Sequence, residues 1–273
     1  MKCVVGRNFR CVVLSVLCLY VGILDAVVIL VHGSFATNRG WWKSNGVFFE
    51  ELSKQSKLLE PQQKVVSFAW SGTPSNNEIE KAGRELAEVI KQYPATEPII
   101  LIGHSHGGNV INKASQFLTQ PQPSPLDVTP TTKQIVTEQQ QVPGCPEQRE
   151  YSIDKAFYLG TPVDMTRYAP NMNVIKYVIN LYSMGDSIQR VLGFYNREYP
   201  LNDRLINLEV FFNKNNRKSK PNHYQLHDQV VGSWLLFIPD VLSGLKVNQF
   251  ENFSYGRNST ITFDEQQAPS LGV

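Results

Sequence analysis

The sequence predicts an α/β protein: a mostly parallel, doubly wound sheet with helices on both faces. Two observations point there. Short, continuous apolar runs rich in β-branched residues recur along the chain, and segments with helical spacing separate them. A run without polar alternation is what a strand covered on both faces requires, and a helix between two such strands lets them pair in parallel.

The elements follow in order. Val27 to Val31 is the first apolar run, Val65 to Trp70 the second and Pro98 to Ile102 the third. Between the last two, Ile79, Ala82, Leu86, Val89 and Ile90 fall at helical spacing within Asn77–Tyr93, with Ser75 or Asn76 available as the cap. Asn109 to Leu118 reads as the next helix. Ala156–Leu159, Val178–Tyr182 and Leu205–Phe211 read as later strands, and Val230–Leu236 as a final helix.

The ends and one internal stretch differ in composition. Lys2, Arg7 and Arg10 precede the apolar run Cys11–Leu24, and Ala26 supplies a small residue before Val27, the pattern of a secretory signal peptide over residues 1–26. The expected protein is therefore secreted or periplasmic, held at a membrane only through this leader if it is not cleaved. Residues 27–248 form the expected domain, interrupted by a Pro-, Gln- and Thr-rich insertion at about 120–150 that reads as a surface excursion or a lid. Residues 249–273 read as a polar tail that frays.

Charge and cysteines exclude several classes. The formal net charge is +2, and removing residues 1–26 takes away Lys2, Arg7 and Arg10 against Asp25, leaving a neutral chain. A neutral surface is not the footprint of a nucleic-acid binder. Three of the four cysteines, Cys3, Cys11 and Cys18, lie in the leader and only Cys145 lies beyond it, so no disulfide framework is expected.

The chemistry centres on Gly103-His104-Ser105-His106-Gly107, which directly follows the third apolar run and precedes a helix. A sharp strand-to-helix turn between small residues pushes a serine hydroxyl out at the end of the strand. It also puts that serine at a helix N-terminus, where amides and the dipole favour developing negative charge. His32-Gly33-Ser34 follows the first strand, where a second oxyanion donor is needed, so the amides of Ser34 and His106 are the candidate oxyanion hole.

A serine hydroxyl needs a general base. Of the five histidines, His32 lies in the oxyanion turn, and His104 and His106 flank Ser105 too closely to reach its hydroxyl. His223 and His227 remain; the loop position of His223 favours it, with His227 as the alternative. The acid that orients the base comes from the turns after later strands: Asp186, following Gly185, is favoured over Asp164, and Asp203 reads as a turn residue. His104 and His106 lack further ligands at metal spacing, so neither a metal nor a cofactor is expected.

These residues resemble the α/β-hydrolase superfamily, and within it the lipase- and esterase-like branch with a GHSHGG nucleophile elbow. ILVHGSF, FAWSGTPSN, LIGHSHGGNV, FYLGTPV, YSMGDSIQ and the late His223 stand in the order that family uses, over roughly residues 27–239, with the insertion as the main departure. The resemblance implies an α/β-hydrolase fold with a minimal lipase-like core. It implies Ser105 as nucleophile, His223 as base, Asp186 as acid and the Ser34 and His106 amides as oxyanion hole. The expected activity is hydrolysis of a small-molecule or lipid carboxylic ester by a monomer. Acyl transfer or thioester hydrolysis on the same triad, or a binding protein that kept the fold, are the alternatives. Trp41, Trp42, Phe48 and Phe49 are expected either at the cleft mouth or in the core.

Overall fold

Ala26–Val31 (β1) is buried at every position because it lies inside the sheet, hydrogen-bonded in parallel to Gln63–Phe68 (β2) on one side and Ile99–His104 (β3) on the other. The computed structural model describes residues 26–59, 62–119, 151–188, 196–200, 202–240, 259–264 and 269–272. Beyond β3 follow Ile153–Leu159 (β4), Ile175–Tyr182 (β5) and Leu205–Lys214 (β6), each parallel to the one before. Arg217–Ser219 (β7) turns back on β6, Ser259–Asp264 (β8) adds in parallel to β6, and Ser270–Gly272 (β9) closes the edge antiparallel to β8. The order among the described residues is β2-β1-β3-β4-β5-β6-β8-β9, a mostly parallel sheet.

Helices cover both faces, as the apolar runs require. Asn76–Ile90 (α2) and His106–Phe117 (α3) pack Ile79, Leu86, Val110 and Ile111 against Val27, Ile29, Leu101 and Tyr158. On the other face Val47–Ser56 (α1) and the short Gln229–Gly232 (α4) pack Phe48, Leu52 and Val231 against Val28, Leu30, Phe157 and Leu208. Alternate residues of one strand thus enter two cores, which explains why β1 shows no polar alternation. Ser75 caps α2, its hydroxyl accepting from the Glu78 amide.

Three expectations change. β2 lies two residues earlier than its apolar run suggests and forms a half-exposed sheet edge. The final helix does not run over Val230–Leu236. It stops at Gly232, and a 3₁₀ turn follows at Leu235–Phe237. Gln55, buried on α1, supplies the reason: its amide donates to the Gly232 carbonyl and its carbonyl accepts from the Leu236 amide at 3.0 Å, so the groups freed by the break stay bonded. The tail, expected to fray, contributes β8 and β9. Ser-Thr-Ile-Thr-Phe-Asp alternates with period two and buries Ile261 and Phe263 against the sheet. The leader up to residue 25 and the insertion at 120–150 lie outside the described residues.

Candidate active site

The sheet direction decides where chemistry can gather. β1 is flanked by β2 on one side and β3 on the other, so the connections leave in opposite directions and open a crevice at the carboxyl ends of β1 and β3. Gly33 and Ser34 follow β1, Ser105 follows β3, Gly160 follows β4 and Asp186 follows β5. The loop bearing His223 follows β7 and reaches the same end of the sheet.

Ser105 sits between β3 and α3 with φ 53° and ψ −131°, a backbone that non-glycine residues rarely adopt. Close packing holds it there. A β-carbon on Gly107 would fall 2.3 Å from the Val31 carbonyl oxygen, and one on Gly103 would fall 2.5 Å from the Gly108 amide. The two glycines of the pentapeptide are therefore where neighbouring backbone leaves no room for a side chain. Gly33 is a third such point, its missing β-carbon lying 2.7 Å from Ser105 Cβ. The Ser105 amide donates to the Leu159 carbonyl at 2.9 Å, tying the turn to β4.

His223 is buried beside it, and its Nδ1–H donates to Asp186 Oδ2 at 2.6 Å. The bond fixes the tautomer and leaves Nε2 with its lone pair. Asp186 is fully buried; its other oxygen accepts from the Ile188 amide at 3.0 Å, and Arg197 donates to its main-chain carbonyl at 3.0 Å. Such bonding is what a buried carboxylate requires. Gly160, at φ 61°, lies under the pair: a β-carbon there would stand 3.2 Å from Asp186 Oδ2 and 3.3 Å from His223 Nδ1. The Ser183 hydroxyl donates to the Pro221 carbonyl at 2.6 Å, joining the loop of the acid to that of the base.

The turn after β1 is set by His32. The Trp70 amide donates to His32 Nε2 at 3.3 Å, so Nδ1 carries the proton and donates to the Gly33 carbonyl at 2.8 Å. In a trans peptide the N–H points opposite to the C=O. Holding the Gly33 carbonyl therefore points the Ser34 amide away from the His32 ring. The next amide, Phe35, is occupied by the Gly72 carbonyl at 2.9 Å, whereas the Ser34 amide has no backbone acceptor among the described residues. His32 is stacked between Trp42, at 4.3 Å, and Trp70, at 5.7 Å, and burial lowers its pKa. His106, the residue of the second candidate amide, opens α3.

The histidines that elimination set aside are also engaged. His104 Nε2–H donates to the His223 carbonyl at 3.0 Å, and its ring lies 4.5 Å from the His223 ring and 4.6 Å from that of His227. His227 stacks flat on Trp41 at 4.3 Å. Burial holds His104 well below the usual imidazole range and brings His106 and His227 down to about 4. His227 and Asp186 do not pair; His227 lies at the wall of the cavity. Asp164 instead binds the Thr166 and Arg167 side chains of its own turn at 2.6 Å each, and Asp203 is exposed. Of the four aromatics named from sequence, Trp41 lines the cavity, Trp42 and Phe48 are core, and Phe49 packs at the core margin.

Sequence reasoning missed the support supplied by His104 and Arg197. His104 and His223 are 119 positions apart, and no local pattern announces such a contact. The resulting cavity measures about 510 Å³ and is lined by Ser34, Phe35, Trp41, Ser105, His223 and Tyr224 among others. Among the described residues no group of three or more His, Cys, Asp or Glu could hold a metal ion, and no helix is long and apolar enough to cross a membrane.

No family model matches the chain, and no curated protein matches it. Solved structures do show likeness. A cutinase-like protein from Cryptococcus sp. aligns at 14% identity over 50% of this chain and 54% of its own, with a TM-score of 0.33. The catalytic core domain of acetyl xylan esterase from Trichoderma reesei aligns at 13% identity over 51% of this chain and 65% of its own, with a TM-score of 0.31. The chain thus spans between about half and two thirds of the length of these two proteins. A protein from Xanthomonas campestris pv. campestris, assigned to the α/β superfamily of hydrolases, aligns at 13% identity over 81% of this chain and 100% of its own, with a TM-score of 0.40. The mostly parallel sheet, the helices on both faces and the crevice at the carboxyl ends of β1 and β3 make this a doubly wound α/β fold.

Proposed function

We infer that the protein is a serine hydrolase of carboxylic esters, lipid esters included, exported by the leader at residues 1–26. One observation carries the reading: Ser105, on a backbone forced to positive φ, shares a cavity with His223, whose Nδ1–H is held by buried Asp186 at 2.6 Å. Ser105 Oγ adds to the ester carbonyl carbon while His223 Nε2 takes its proton, and the amides of Ser34 and His106 receive the oxyanion. The protonated imidazole is stabilised by Asp186 and returns the proton to the leaving alcohol as the C–O bond breaks. Water then repeats the sequence on the acyl-enzyme, releasing the carboxylic acid and restoring Ser105. The arrangement draws its nucleophile, base and oxyanion donors from this chain.

A fluorophosphonate probe tests the assignment. The expected result is stoichiometric labelling of the full chain, lost in Ser105→Ala, with ester turnover falling at least a thousandfold in Ser105→Ala and His223→Ala. Absence of labelling overturns the hydrolase reading in favour of a binding protein. Near-normal turnover in His223→Ala with loss in His227→Ala would transfer the role of base to His227.

A further inference from the structure

The wall of the Ser105 cavity is uneven in charge. Burial keeps His104, His106 and His227 in their neutral forms, and Asp186 lies beneath His223 rather than in the lining. Among the described residues, the one lining side chain with a permanent charge is Arg39. Among the described residues its guanidinium has neither a carboxylate partner nor a side-chain hydrogen bond. A guanidinium standing alone beside a reactive centre presents a planar fork of donors that suits a carboxylate, sulfonate or phosphate.

The position of Arg39 is also built. Its amide donates to the Ala36 carbonyl at 2.8 Å, the same oxygen accepts from Trp42 Nε1 at 2.8 Å, and Thr37 Oγ1 donates to the Ser71 carbonyl at 3.0 Å. The loop carrying Arg39 is therefore pinned to the ends of β1 and β2. Its charge is felt inside the cavity, where it opposes protonation of His227. Apolar surface lies beside it: Phe35, 78% exposed and held at φ 57°, and the ring of Tyr224, 58% exposed, line the same cavity with Pro74 and Ile188. A large aromatic held exposed on an unfavourable backbone marks a surface shaped for contact rather than for folding.

We propose that Arg39 selects ester substrates bearing an anionic group, with Phe35 and Tyr224 holding the apolar stretch between that group and the scissile ester. The inference rests on the reading of Ser105 as nucleophile. It names the substrate class of the same site: amphiphilic esters with a carboxylate, sulfonate or phosphate toward the cavity mouth.

Steady-state kinetics of the full chain on two matched substrate pairs test it. Phenyl butyrate against its 4-sulfonate places the anion on the alcohol; p-nitrophenyl hexanoate against the p-nitrophenyl monoester of adipic acid places it on the acyl chain. In at least one pair kcat/KM favours the anion by roughly tenfold at low ionic strength, mainly through KM, and the preference shrinks as salt rises. The anion-to-neutral ratio drops to about one in Arg39→Gln, falls below one in Arg39→Glu, and is partly kept in Arg39→Lys. Equal or better use of the neutral ester in both pairs, or a preference that survives Arg39→Gln, overturns the role of Arg39. If neutral esters are then still cleaved in a Ser105-dependent way, the hydrolase reading stands without it. If no ester is cleaved and the fluorophosphonate does not label the chain, both fall together.

Discussion

His32 orients the Gly33–Ser34 peptide, the proposed source of an oxyanion donor, without lining the cavity itself. Its proton is fixed on Nδ1 because Nε2 accepts from Trp70, and that proton turns the Gly33–Ser34 peptide. Removing one oxyanion donor costs about 10² to 10³ in kcat, and loosening one costs less. His32→Phe keeps the stacking on Trp42 and Trp70 but loses the bond, so kcat is expected to fall roughly tenfold to hundredfold with KM little changed. A steady-state comparison with an equally destabilised core variant separates this from a general loss of stability. His104 acts in the same way on His223: His104→Phe leaves the His223 carbonyl without its donor, and the expected signature is a lower kcat together with weakening of the downfield proton resonance expected for the His223–Asp186 bond in the parent protein.

The buried imidazoles make stability depend on pH at this same scale. His106, with a pKa of about 4 in the folded protein through burial first and the nearby His223 charge second, titrates near 6.5 when unfolded. Between those values the unfolded chain binds the extra proton, so stability rises with pH across the window and is lost as pH falls from 6.5 toward 4. The full difference is on the order of 3 kcal/mol for His106. The half-buried His227 adds in the same direction. Urea midpoints at pH 7 and pH 4.5 should differ accordingly, and the difference should shrink in His106→Asn. A flat profile would show that the imidazole takes up its proton as readily in the fold as in the unfolded chain.

At the scale of elements, the turn between β3 and α3 was legible because its chemistry is local. A serine between glycines, after an apolar run and before helical spacing, carries its own constraint. The structure adds the cause: α3 approaches β1 so closely that Gly107 abuts the Val31 carbonyl. Gly107→Ala must push α3 off the strand, and a loss of about 3 kcal/mol or more by denaturant unfolding is expected, with activity falling alongside. A neutral outcome would mean that the turn has slack the packing denies. The broken final helix was not legible, because what ends it is Gln55 on a helix more than 170 residues earlier. Asp186 was preferred to Asp164 from turn position; only the tertiary contacts give each its partner, His223 for one and Arg167 for the other.

Across the whole molecule, the parallel sheet is completed from the far end of the chain. β8 covers β6, which a fraying tail would have left as a bare edge. Phe263 is buried there against Phe212, so Phe263→Ala is expected to cost about 3 to 5 kcal/mol of unfolding free energy and to lower Tm by several degrees. A change below about 1 kcal/mol would indicate that the sheet does not depend on its last parallel strand. The alternating pattern Ser-Thr-Ile-Thr-Phe-Asp was present in the sequence, but the surrounding polar composition hid it.

By itself the sequence determined the parallel α/β class, the helices that cover it and the turn that carries Ser105. Each of these follows from residues within one or two turns or strands of each other, where periodicity and steric limits act directly. The tertiary structure decided which histidine meets which carboxylate, how His32 holds the Gly33 carbonyl and that Arg39 lines the same cavity as Ser105. Those outcomes depend on side chains brought together from loops dozens to more than a hundred residues apart. Packing in three dimensions, rather than spacing along the chain, sets their distances.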